Sequence, residues 1–263
     1  MKKYLVIGNP INHSLSPNLH NYWIKENSLK AIYEKKKIEE NEIEFVIDNI
    51  KKNKISGINV TVPYKKKIIP FLDKLSFEAE ITQSVNTIYC KDNKIFGHNT
   101  DIEGFEMAIK HLKFDVSKKK IFILGAGGVV PSIIFALEKM NVSQIFISNR
   151  TRKKADDLKE MFKNLNVIEW GELSNFDMII NATSVGLKKD DFINLDFSKC
   201  EKNKLFYDVI YNPKKTNFLK KAEELGNISE NGKMMFIFQA LASFNIWHGF
   251  KPKVSQETIK ILD

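Results

Sequence analysis

A chain of 263 residues with 43% apolar side chains can bury one large α/β core or two smaller ones. Its formal net charge of +9 is dispersed in short lysine runs, Lys35–Lys37, Lys65–Lys67 and Lys118–Lys120, without the interleaved aromatic residues of a nucleic-acid surface. The two lone cysteines form no CxxC, no histidine pair has an HExxH-like spacing, and no apolar run is long enough to span a membrane, which argues against a disulfide framework, a metal site and a membrane protein.

In chain order, the first strand, "YLVIG" at 4–8, stops at Gly8-Asn9-Pro10, too short for a signal-peptide core. Cys90 and Cys200 are therefore expected as buried thiols in a reducing cytoplasm, and the histidines as surface or hydrogen-bonded residues. Ser16-Pro17 predicts a helix over 16–27, with the hydroxyl as its cap and proline in the first turn. Further strands are expected at 31–38, 57–62, 85–90, 121–125, 144–149, 177–183 and 205–211. Helices are expected at 39–53, 102–112, 129–140, 152–163, 215–225, 233–246 and 254–262. This alternation predicts a parallel α/β fold.

Polar residues cluster where the first strands end: Ser14 and Ser16, Asn59 and Thr61, Asn86, and Asn99, Thr100 and Asp101. Open α/β sheets gather ligands at that edge. With the amine of Lys65, these groups suit a small polyhydroxylated molecule far better than an apolar one.

The run "IFILG" at 121–125 then breaks into "AGGVV" and a helix, the order in which backbone N–H groups receive a pyrophosphate. Gly125 permits a tight turn and Gly127 a close approach, while Val130 stands where the fingerprint prefers Gly or Ala. After the next strand an NAD-preferring site would carry an acid, yet "SNRTRKKA" offers Asn149, Arg150 and Thr151, then Arg152, Lys153 and Lys154. That loop suits a 2′-phosphate: Arg150 supplies a planar donor fork, Thr151 caps the following helix and donates its hydroxyl, and Lys154 adds charge. No linker separates the halves, so the expected boundary falls at "GHNTD" (97–101). The chain returns within the apolar helix "MMFIFQALASFNIW", giving domains of 1–101 plus 238–263 and of 102–237.

The ordered set "GNPINHSLSP", "GINVTVPYK", "VNTI", "GHNTDIEGF", "ILGAGG", "SNRTRKKA", "NATSVG", "YDVIYNP" with Thr216, and "FQALASFNIWHG" resembles the shikimate dehydrogenase family over essentially the whole chain. The resemblance implies an N-terminal, mainly parallel α/β substrate domain and a C-terminal Rossmann-type NADP-binding domain. It also implies NADPH-dependent reduction of 3-dehydroshikimate to shikimate, a step of aromatic amino-acid biosynthesis. Carried over by position, it puts the substrate carboxylate near Ser14 and Ser16 with Tyr211, and ring hydroxyls near Asn59, Thr61, Asn86 and Gln239. Lys65 and Asp101 would form the catalytic pair, with Lys65 handling the proton. NADP would meet Gly125, Ala126, Gly127, Gly128, Asn149, Arg150, Thr151, Ala182, Thr183, Val209 and Gly232.

The sequence departs from the family pattern at Gln83-Ser84, Val129-Val130 and Leu187. A cytoplasmic monomer or homodimer acting on small molecules is expected, with hinge motion near residues 101 and 237. Two other readings stay open: a quinate or dual quinate/shikimate enzyme, and a non-catalytic sensor of dinucleotide and polyol.

Overall fold

β1 (Lys2–Gly8) carries two exposed lysines and then five consecutive buried residues, so it needs cover on both faces and belongs inside a sheet. The computed structural model, which describes residues 1–198 and 200–263, places it there. The chain forms two units, Met1–Gly104 with Ile237–Asp263, and Phe105–Phe236.

The first unit contains β1, α1 (Ser16–Glu26), β2 (Ala31–Lys37), α2 (Ile43–Lys51), β3 (Gly57–Val60), β4 (Lys74–Leu75), α3 (Phe77–Thr82), β5 (Thr87–Lys91) and β6 (Lys94–His98). Its sheet runs β2-β1-β3-β5-β6-β4. β2, β1 and β3 are parallel, whereas β5 runs antiparallel to both β3 and β6. The β5–β6 reversal comes from Asp92 and Asn93, whose φ angles of 50° and 55° make a two-residue hairpin that can only join antiparallel strands. Leu5 and Ile7 of β1 share a core with Ile43, Val46, Ile47 and Ile50 of α2, the i, i+3, i+4, i+7 stripe of a helix lying on a sheet. Tyr4, of opposite parity, stacks at 4.9 Å on Trp247 of α8 (Lys233–His248). The Trp247 indole donates to the Ile88 carbonyl at 3.2 Å. Its ring lies so close to β3 that a side chain on Gly57 would come within 2.5 Å of it.

The second unit contains β7 (Lys120–Leu124), α5 (Val130–Lys139), β8 (Gln144–Ser148), α6 (Arg152–Met161), β9 (Leu165–Val167), β10 (Met178–Asn181), β11 (Leu205–Asp208), α7 (Asn217–Glu224) and β12 (Ile228–Glu230). All strands are parallel, in the order β12-β11-β10-β7-β8-β9. Numbered within the unit this is 6-5-4-1-2-3, the doubly wound dinucleotide order, and the direction of winding switches between β7 and β10. α4 (Asp101–Leu112) and α8 carry the chain from one unit to the other and back, and α9 (Gln256–Lys260) ends it. Among the described residues no helix is long and apolar enough to cross a membrane.

Several local expectations are corrected. α1 starts at Ser16 itself, with Leu15 as its cap residue and no side-chain cap, because the Ser16 backbone N–H is taken by the Ser14 hydroxyl at 3.3 Å. The helix expected over 39–53 is a short turn at Glu40–Glu42, closed by reciprocal Glu39 and Glu42 bonds, followed by α2. Cys90 and Cys200 are only partly buried, at the margins of apolar clusters. His20 is neither exposed nor fully hydrogen-bonded: it is 1% exposed and its Nε2 has no partner among the described residues.

Candidate active site

In the first unit the polar residues collect at one edge of the sheet, because β1, β3 and β6 end there and the antiparallel β5 begins there. Asn86 thus precedes its strand, and Asn59 lies inside β3, although both were expected beyond a strand end. Lys65 sits in the loop after β3. That loop is anchored by the buried Tyr64, whose hydroxyl donates to the Ile38 carbonyl at 2.8 Å, and by the Val85 N–H on the Lys65 carbonyl at 2.9 Å. Asp101 opens α4, where the helix N-terminus favours a carboxylate.

Lys65 and Asp101 form an ion pair, with side chains only 12% and 8% exposed. Asn86 fixes the carboxylate from behind, donating through Nδ2 to Asp101 Oδ1 at 2.9 Å, and the Asp101 N–H donates to Asn99 Oδ1 at 3.2 Å. Asn86 Nδ2 also lies 3.4 Å from Gln239 Oε1 on α8, so Gln239 joins the same edge. Thr61 follows β3 directly, its N–H on the Ile7 carbonyl at 3.0 Å.

Asn59 turns its amide inward. Its Nδ2 lies 3.0, 3.1 and 3.0 Å from the Asn86 carbonyl, Thr87 Oγ1 and Ser243 Oγ, and its Oδ1 accepts from the Tyr33 hydroxyl at 2.6 Å. An amide has two N–H bonds, so the donor capacity of Asn59 is spent within the unit. The Ser16 side chain meets the Ser14 hydroxyl at 3.2 Å. Tyr33 fixes the Asn59 side-chain carbonyl oxygen from its own strand. Its ring stacks on His20 at 4.2 Å and 2°, and burial pulls the His20 imidazole down to about 3, leaving it neutral. Tyr33, Thr87 and Ser243 escaped sequence reading. Their only signal is a hydroxyl within an apolar element, and that becomes informative once the partners are known.

The second unit builds a glycine cradle at its switch point. Gly125 has φ +104°, and a Cβ there would lie 2.8 Å from the Ala182 carbonyl. At Gly127 a Cβ would meet only that carbonyl, at 3.8 Å, and at Gly128 nothing within 4 Å, so the space ahead of α5 is open. Ala182 closes one side, its N–H on the Leu124 carbonyl at 2.8 Å. Gly232 lets α8 begin against β11, since a Cβ would fall 2.2 Å from the Val209 carbonyl.

Beyond β8, Arg152 pairs with Asp156 and Glu169, and Lys153 with Asp157. Arg150 and Lys154 are exposed, and no carboxylate pairs with either among the described residues. Asn149 Nδ2 donates to the Thr151 carbonyl at 2.8 Å. Thr151 is the cap residue of α6, but its side chain makes no cap hydrogen bond, so its expected capping role is corrected. Tyr211 belongs to this unit, stacked at 4.5 Å on Phe236.

The chain matches two family models, that of the shikimate dehydrogenase substrate-binding domain over residues 6–88 and that of shikimate/quinate 5-dehydrogenase over residues 106–217. It is 60% identical over 262 residues to the shikimate dehydrogenase (NADP(+)) of Pelagibacter ubique, covering 100% of this chain and 99% of that one. The crystal structure of shikimate dehydrogenase from Aquifex aeolicus superposes with a TM-score of 0.92 at 37% identity, over 100% of this chain and 97% of that one. The Thermus thermophilus shikimate 5-dehydrogenase in complex with NADP(H) and shikimate gives 0.91 at 28% identity, over 100% and 98%.

Proposed function

The chain belongs to the shikimate dehydrogenase family, and from that premise we propose that Lys65 and Asp101 are the pair that moves the proton in its reaction. The enzyme is an NADP-dependent oxidoreductase acting on a CH–OH group, reducing 3-dehydroshikimate to shikimate. The observation that supports the roles assigned to the pair is their largely buried ion pair, backed by Asn86. Ser14 and Ser16 offer hydroxyls to the substrate carboxylate, Thr61 and Gln239 serve the ring hydroxyls, and Asn86, whose amide donates to Thr100 and Asp101, acts by holding the Asp101 carboxylate. Asn59 contributes by orienting its neighbours.

The open cradle over Gly127 and Gly128 and the exposed Arg150, without a carboxylate partner among the described residues, fit a dinucleotide carrying a 2′-phosphate. Gly125–Gly128 would hold its pyrophosphate, Arg150 with Asn149, Thr151 and Lys154 its phosphorylated ribose, and Ala182, Thr183, Val209 and Gly232 its remaining length. When bound, NADPH supplies the hydride that reduces the ketone carbon. Lys65 gives a proton to the ketone oxygen as negative charge develops on it, and regains one from water. Asp101 holds the ammonium in place and stabilises its charge. In the reverse direction Lys65 takes the hydroxyl proton.

The same reading has the enzyme working on small molecules in the cytoplasm, as a monomer or homodimer, without nucleic acid. The test is loss of NADPH absorbance when the purified protein meets 3-dehydroshikimate, with NADP-dependent oxidation of shikimate and of quinate compared alongside. Turnover of shikimate well above quinate supports the reading. Binding of both ligands without turnover would make the protein a sensor.

A further inference from the structure

Asn181 and Asp208 face each other at the ends of β10 and β11, both with no solvent exposure. Asn181 Nδ2 donates to Asp208 Oδ1 at 3.1 Å and to the Val185 carbonyl at 3.0 Å. Its Oδ1 accepts from the Thr183 N–H at 3.1 Å and the Thr183 hydroxyl at 2.7 Å. One buried amide therefore holds the loop 182–186 at both ends, using both its donors and its acceptor. Asp208 takes three donors: Asn181, the Ile210 N–H at 3.0 Å, and the Thr216 hydroxyl at 2.6 Å. Thr216 is 2% exposed and acts on the same loop from another side, since a Cβ on Gly186 would lie 3.0 Å from its methyl.

A buried carboxylate is costly to desolvate, and burial pushes Asp208 up to about 6 despite its three donors. None of the three side chains can touch a ligand. What they share is the loop bearing Ala182 and Thr183 and the strand end bearing Val209. We propose that Thr216 and Asp208 are positioning residues for NADP, setting through Asn181 the conformation of the 182–186 loop. This rests on the assignment of Ala182, Thr183 and Val209 to the cofactor site. A fully satisfied polar network of this kind fixes one loop geometry and transmits the loss of any member.

The test uses Thr216→Val, which keeps the shape but removes both the donor to Asp208 and the acceptor that caps α7 through the Leu219 N–H, with Thr216→Ser as the rescue and Asp208→Asn, which leaves that cap in place, as the second variant. Thr216→Val should weaken NADP+ about tenfold by titration, leave shikimate affinity within about threefold, and change KM for NADPH more than kcat. Thr216→Ser should recover most of the loss. A variant that melts earlier but binds NADP+ like wild type would show a merely structural role and overturn the proposal, as would equal weakening of both ligands. Hydrogen exchange on the wild type separates the two layers. NADP+ should protect the amides of segments 181–187 and 208–213, and absence of protection would overturn the cofactor assignment and the proposal with it. Protection combined with wild-type NADP+ affinity in both Thr216→Val and Asp208→Asn would overturn the positioning role alone.

Discussion

Asp101 holds Lys65 with one carboxylate oxygen and Asn86 with the other. The lysine is thereby aimed by a residue that is itself pinned at the start of α4, while Lys65 and Asn86 come from the loops that follow β3 and precede β5. Asp101→Asn keeps the shape and removes the charge. Turnover of 3-dehydroshikimate should fall by on the order of 10²-fold, the scale of a misplaced proton donor, with KM for shikimate shifted less than tenfold. Steady-state kinetics beside a melting curve check this, and unchanged kcat in a folded variant would dissolve the pair.

Among the described residues Arg150 has no carboxylate partner, whereas Arg152 has two. Charge-assisted hydrogen bonds to the 2′-phosphate are worth about 1.5 to 3 kcal/mol, or roughly ten- to 150-fold in affinity. Arg150→Ala should weaken NADPH by about that factor and leave NADH nearly unchanged. The measurement is the ratio of kcat/KM for the two cofactors at one fixed salt concentration, because phosphate contacts are screened. A variant that loses both cofactors equally would show that Arg150 does not read the phosphate.

His20, stacked on Tyr33, makes a pH-dependent contribution to stability. Its folded value of about 3 lies below the ordinary 6.5, so the unfolded chain takes up the proton first as pH falls. The contribution of the neutral ring is complete above 6.5 and is lost between there and about 3, amounting to about 2 kcal/mol by pH 5. His248, pulled down to about 4 by burial, acts in the same sense. Asp208, pushed up to about 6, acts oppositely, adding stability as pH falls below that value. Denaturant melts of wild type and His20→Phe at pH 7 and pH 5 isolate the His20 share, since the other groups are common to both. The gap between the two proteins should move by about 2 kcal/mol in favour of the variant at pH 5, and a constant gap would refute the buried neutral ring.

Much of this was legible in the sequence where periodicity and composition agree. β7, β8, β10 and β11 are continuous apolar runs, and the α2 stripe is plain. β4, β9 and β12 carry little signal because each has only two or three residues and lies at a sheet edge, where little burial marks it. β6 was missed although Asp92-Asn93 between "IYCK" and "KIFGH" is a hairpin signal. In the site, Lys65, Asp101 and Arg150 could be named from their motifs. The roles of Tyr33, Ser243, Asn181 and Asp208 could not, because a buried polar side chain reveals its task only through partners far away in the chain, such as Ser243 against Asn59.

The most direct test is single-turnover oxidation of NADPH by Lys65→Ala, with enzyme in excess over 3-dehydroshikimate. Removing the proton donor should slow the chemical step by on the order of 10²- to 10⁴-fold while shikimate still binds within roughly tenfold of wild type. A wild-type rate in this variant, or a loss of shikimate binding as large as the loss of rate, would contradict the assignment of Lys65 as the group that delivers the proton.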